Sequence, residues 1–214
     1  EQQTFSSRAD WRVRAVSAAN LALRVQNLNV ATCLDSDNTY VLPSNIFKRF
    51  ICIADLRLQI AGLLYGVSLP DDPHTKEVRI IVMPPQMGSS QSVKLPDQLP
   101  QHELLEGLEP LGWIHTQPVE LNRLSSRDVY IHSHLMDVNP SWDGKKTAII
   151  TCSFIPGSVL VSGYNITKEG YDWGRMSKDQ GASEVGFDEK TMFHSCPVLF
   201  SDKFLGSFLV PAEN

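Results

Sequence analysis

From Leu58 to Ser68 the chain reads LQIAGLLYGVS, a nearly unbroken apolar run holding two glycines. Such a run has no polar alternation and is too short to cross a membrane as a helix, so it reads as a buried strand. A buried strand needs neighbours, and the chain supplies them. KEVRIIVMPP after the turn PDDPH reads as a second strand, LGWIHTQP as a third that ends in proline, and KTAIITCSF as a fourth. GSVLVSGYNI and KEGYDWGRM are further strand candidates, and SCPVLF and FLGSFLVPA close the chain.

Helical patterns lie between these strands. After a proline-serine start, Ile46, Phe47, Phe50, Ile51 and Ala54 share one face. PQHELLEGLEP predicts a short helix with Leu104, Leu105 and Leu108 on one side. SSRDVYIHSHLMD predicts another, carrying Val129, Leu135 and Met136. Strands and helices mixed in this order predict a single α/β domain over residues 31–214, with a central mixed β-sheet flanked by helices. Residues 1–30 carry Arg8, Arg12, Arg14 and Arg24 against Glu1 and Asp10, and are expected to form an N-terminal extension packed on that body.

The charge balance narrows the function. Nineteen Lys and Arg stand against 24 Asp and Glu in 214 residues, a net charge of −5. This argues against a protein whose main work is gripping nucleic acid through a broad basic face. No apolar run approaches the roughly 20 residues of a membrane helix, and no basic n-region followed by an apolar h-region is visible at the start of the sequence. The first residue is Glu1, so the chain is expected to be a piece of something longer. Cys33, Cys52, Cys152 and Cys196 are widely spaced and form no CxxC pair, which predicts buried free thiols in a reducing compartment.

The stretch Gly112 to Asp128, GWIHTQPVELNRLSSRD, is where chemistry is written. His115 sits at a strand end, Ser125 ten residues on and Asp128 thirteen on. A histidine from a strand end and an aspartate from a helix's first turn can converge. With a third ligand they could hold zinc and leave the fourth position to water. The metal would lower that water's pKa to about 7, and a nearby carboxylate would serve as general base. A plainer reading stands beside this one. Ser125 followed three residues later by an acid is a helix N-cap, and His115 is a hydrogen-bonded core histidine. His132 and His134 are two apart on a helix and point to different faces, so they do not form a joint metal site. His194 near Cys196 lacks any supporting ligand spacing.

The frame Gln59, then His115-Thr116-Gln117, then Ser125-Ser126-Arg127-Asp128 resembles the motif of the JAMM/MPN metalloproteases: Glu, then His-x-His, seven residues, Ser-x-x-Asp. Gln59 falls in the glutamate slot, three residues before Gly62. The resemblance implies a JAMM/MPN fold with a degenerate site. Gln117 stands where the second histidine ligand belongs, and a neutral amide oxygen is a poor zinc ligand. Gln59 stands where the general base belongs, and an amide takes no proton near neutral pH. No catalytic residue, cofactor or metal is then expected; His115 and Asp128 remain as residual candidate ligands.

Longer segments, among them FKRFICIADLRLQIAGLLYGVS, LPQHELLEGLEPLGWIHTQP, NPSWDGKKT and SDKFLGSFLVPA, resemble the branch of that family carried by a large spliceosomal scaffold. The similarity covers essentially the whole chain and is weakest over residues 177–193. It implies a nuclear pseudoenzyme that serves as a protein-interaction platform in pre-mRNA splicing. Its partners would be the spliceosomal RNA helicase that it regulates, other parts of the scaffold, snRNP proteins and ubiquitin, with RNA met indirectly and no membrane. A regulatory tail would follow near Asn214. The competing expectations are a zinc-dependent deubiquitinase with a relaxed site, and a ubiquitin- or RNA-binding module in which Arg8, Trp11, Arg12 and Arg14 touch a phosphate backbone.

Overall fold

The computed structural model describes residues 38–54, 57–117, 123–155, 158–203 and 206–210; the extension expected over residues 1–30, its arginines and Cys33 lie outside them. The chain begins with β1 (Thr39–Pro43), α1 (Ser44–Ile53), β2 (Ala61–Ser68), β3 (Thr75–Val82) and the short hairpin β4 (Met87–Gly88) and β5 (Val93–Lys94). It continues through β6 (Glu109–Gln117), α2 (Ser126–Val138), β7 (Ala148–Ile155), β8 (Ser158–Ile166), α3 (Lys168–Met176) and α4 (Glu189–Met192). It ends in β9 (Phe193–Cys196), β10 (Val198–Ser201) and β11 (Ser207–Leu209).

The large sheet is mixed, with the order β10-β1-β3-β2-β6-β7-β8-β9 and β11 added to β3. Its two ends are one stretch of chain. Phe193–Cys196 pairs with β8, Val198–Ser201 pairs with β1, and Pro197 lies between. Pro197 has no N–H to give, but its carbonyl accepts from Tyr40 N at 2.9 Å. One stretch of chain thus joins the two ends of the sheet.

Packing on both faces explains the run at Leu58–Ser68. Along β2, β6 and β7 the residues Leu64, Ile114 and Ile150 face one core together with Phe47 and Phe50 of α1. The alternate residues Leu63, Trp113 and Ile149 face a second core with Val129 and Leu135 of α2. Both faces are covered, so both sets are apolar.

Three expectations are corrected. KEGYDWGRM is helix α3, not a strand. Thr167 caps it, its side chain accepting from Gly170 N at 3.2 Å, and Glu169 and Arg175 suit the helix dipole at either end. Gly174 shows the packing reason: a Cβ there would overlap the Ser133 side chain, so the glycine lets α3 lie directly on α2. PQHELLEGLEP forms only a 3-10 turn at Glu103–Leu105. Gly107, at φ 76°, takes a left-handed conformation that ends the turn before β6 begins. Cys152 and Cys196 are buried as expected, but Cys52 is exposed, because it falls on the outer side of α1 at its last turn.

Candidate functional site

β6 brings Trp113, His115 and Gln117 to the face beneath α2, since alternate residues of a strand share a face. Gln59 lies two residues before β2, buried, with its backbone N donating to Ser89 O at 2.8 Å. Ala61 pairs with His115, and Thr116 N donates to Ile60 O at 2.9 Å, so the chain just after Gln59 runs beside the end of β6. Gln86 fixes this strand start by accepting from Ala61 N at 2.7 Å and donating to Ala61 O at 2.8 Å.

Ser125 and Asp128 form the first turn of α2. Ser125 Oγ accepts from Asp128 N at 3.1 Å, and Ser125 N donates to Asp128 Oδ2 at 3.2 Å, a complete capping box. Capping uses only one carboxylate oxygen. The other, Oδ1, stands 3.1 Å from His115 Nε2, and both side chains are buried. The expected convergence of His115 and Asp128 and the expected cap are thus the same arrangement.

The protons can be assigned. His115 Nδ1 lies 3.1 Å from the Thr116 carbonyl, which only accepts, so Nδ1 carries hydrogen. Nε2 then faces a carboxylate, and two lone pairs would repel there unless Nε2 is protonated as well. Burial alone pushes the imidazolium pKa down, but the facing Asp128 charge and the Thr116 carbonyl outweigh it and hold His115 above the ordinary histidine range. Burial likewise pushes Asp128 up, and the His115 charge with the Ser125 hydrogen bonds outweighs it and holds the carboxyl below its usual range. The pair is an imidazolium facing a carboxylate. Its approach is close but not aligned as an ordinary hydrogen bond, so charge carries the contact.

Gln117 lies beside the pair. Its Oε1 accepts from Ser153 Oγ at 2.9 Å across the β6–β7 register, where Gln117 is opposite Ser153. Its Nε2 and the Oε1 of Gln59 are buried with no hydrogen-bond partner.

This donor set does not fit a water-activating zinc. The His115–Asp128 spacing suits two ligands of one tetrahedral ion, which stand about 3.3 Å apart for bonds of about 2.0 Å. The third place holds an amide whose oxygen is already engaged by Ser153. Among the described residues no three His, Cys, Asp or Glu side chains stand together as a metal cluster. Gln59 cannot accept a proton as general base.

A second polar assembly lies behind the pair and was not read from the sequence. Trp113 Nε1 donates to His132 Nδ1 at 3.1 Å, so the single imidazole proton is on Nε2, which faces Tyr171 OH at 3.1 Å and Thr147 Oγ1 at 3.3 Å. Burial pushes the His132 pKa down to about 3 and keeps the ring neutral. The available signal was spacing: His132 is four residues after Asp128 and so on the same helix face. His134 instead points outward to Asp97 at 2.9 Å. His194 is exposed at the other end of the sheet, on β9.

Two family models match the sequence. The one described as JAB1/Mov34/MPN/PAD-1 ubiquitin protease covers residues 35–141, half of the chain. The one described as PROCT (NUC072) domain covers residues 148–214.

Proposed function

The protein belongs to the JAB1/Mov34/MPN/PAD-1 ubiquitin protease family, and from that premise we propose that it is a member that has kept the fold, has no hydrolytic activity, and works as a protein-interaction platform. The observation that carries this reading is the Gln117 side chain. It occupies the ligand position with its oxygen bound to Ser153, beside a His115–Asp128 pair that satisfies its charges internally. Gln59, an amide in place of a base, supports it further.

The finer reading rests on sequence resemblance to the C-terminal JAMM/MPN domain of pre-mRNA-processing-splicing factor 8. On that reading the domain acts in the nucleus, where it binds the spliceosomal RNA helicase and regulates it during pre-mRNA splicing, alongside other parts of the scaffold and snRNP proteins. A net charge of −5 suits a domain that meets RNA through a protein partner.

Two measurements test the two levels separately. Elemental analysis of the purified protein should find zinc well below one per chain, and ubiquitin chains should survive incubation with it. Stoichiometric zinc together with chain cleavage would establish the deubiquitinase reading instead. A pull-down with the purified helicase should retain it at physiological salt; failure there would remove the helicase role and leave the loss of hydrolysis standing.

A further inference from the structure

A cavity of about 490 Å³, with neither His115 nor Asp128 in its lining, opens where the turn before β3, the segment leading into β7 and the start of β9 meet. Its wall is built rigidly. Three consecutive backbone carbonyls are each held by a buried side chain from another element: Asn38 Nδ2 donates to Lys145 O at 2.5 Å, Tyr40 OH to Lys146 O at 2.7 Å, and Asn165 Nδ2 to Thr147 O at 3.1 Å. Loops over a surface rarely receive this many buried anchors, and the anchors fix where Lys145 and Lys146 project.

The charges lining the cavity are one-sided. Lys76, Lys145, Lys146, His74 and His194 face it against the single acid Asp143. Lys76 is the most telling of these. The residue is 4% exposed, and its ammonium donates to Ser68 Oγ at 2.8 Å and Pro73 O at 2.6 Å, yet among the described residues no carboxylate stands within ion-pair distance of it. Glu109 is paired with Lys146 at 2.7 Å. Burial first, and then the Lys146 ammonium, pull Lys76 below the ordinary lysine range, against the opposing charges of Glu109, Asp143 and Asp72. Lys145 carries no ion pair among the described residues. A buried ammonium with no carboxylate in contact, an exposed lysine at the rim and two imidazoles thus place several nitrogen donors on one cavity.

We propose that this cavity binds a small phosphate-bearing molecule, with Lys145, His74 and His194 donating to its phosphate oxygens and Lys76 supplying fixed charge behind them. The volume lies within the range of small-ligand sites, of order 300–1,000 Å³, and is too confined for a nucleic-acid helix. Lysine and imidazole donors suit phosphate as point charges and hydrogen-bond donors.

Titration of the 214-residue protein with pyrophosphate, followed by calorimetry and by amide chemical shifts, tests this. The expected result is saturable 1:1 binding, with the shifts at residues 72–76, 143–147 and 193–195. Lys145→Gln and His74→Gln should each weaken binding at least fivefold, while Lys178→Gln leaves it unchanged. The two cavity residues are exposed, so neither variant should alter the melting temperature. Absence of saturation at millimolar pyrophosphate, or affinity untouched by both cavity variants, would overturn the proposal. So would Lys145-dependent binding of a single-stranded RNA oligomer with none of pyrophosphate.

Discussion

His115 Nε2 and Asp128 Oδ1 stand 3.1 Å apart in the interior, one at the end of a strand and the other in the first turn of a helix. A proton on the imidazole does there what a metal ion does in an intact site of this kind: it keeps two lone-pair donors together. The cost of burying both charges is offset by their mutual attraction, by the Thr116 carbonyl and by the Ser125 cap. Four predictions follow from this arrangement and its surroundings.

Removing one partner leaves the other charge stranded. Asp128→Ala should destabilise the protein by about 3–5 kcal/mol, as breaking a buried pair does. The loss should exceed that of Ser125→Ala, which takes away only the cap and should cost about 1 kcal/mol. Urea unfolding of the two variants at neutral pH checks the ranking.

The pair also sets a pH window. The folded pKa of His115 is raised, so its stabilisation is complete below the unfolded value of 6.5 and is lost as pH rises through the folded value. That of Asp128 is lowered, so its stabilisation is present above the unfolded value of 3.8 and is lost as pH falls through the folded value. Stability from the pair should therefore be greatest between pH 3.8 and 6.5. A His115→Gln, Asp128→Asn double variant, unfolded in urea across that range and on both sides of it, should show a flatter profile than the wild type.

His132 acts in the opposite direction. Its folded pKa is held at about 3, so unfolding takes up a proton below 6.5 and stability should fall by up to about 1.4 kcal/mol per pH unit there. His132→Gln should be less stable at pH 7, since it loses the Trp113 and Tyr171 contacts, and should show a shallower acid limb. An acid limb as steep as that of the wild type would show that His132 is not the group taking up the proton.

Rebuilding the missing donors should rebuild metal affinity. Gln117→His places an imidazole on the same strand face as His115, and elemental analysis should then find zinc rising toward one per chain. Adding Gln59→Glu supplies a buried carboxylate just before β2. Zinc content unchanged in Gln117→His would mean that the surrounding packing, and not the amide, keeps the metal out.

Much of this was legible in the chain. The run Leu58–Ser68 announced a strand covered on both faces, and the Ser125–Asp128 spacing announced a helix start. KEGYDWGRM was misread because Tyr171 and Trp173 alternate with polar residues in the manner of a strand. Its helical face is made of Gly170 and Gly174, which hydropathy does not register but which close packing against Met192 and Ser133 requires. The Trp113–His132–Tyr171 assembly was hidden for a related reason: its side chains come from three separate segments.

The sequence by itself determined which residue types stand at the motif positions, and so that amides stand at positions 59 and 117. Side-chain chemistry is local, and no fold can make glutamine accept a proton at neutral pH. Only the tertiary structure decided that Asp128 both caps α2 and faces His115, that Ser153 occupies the Gln117 oxygen, and that Lys76, Lys145 and His194 surround one cavity. Each of these relations joins residues from different elements, and sheet register and helix docking bring those elements together.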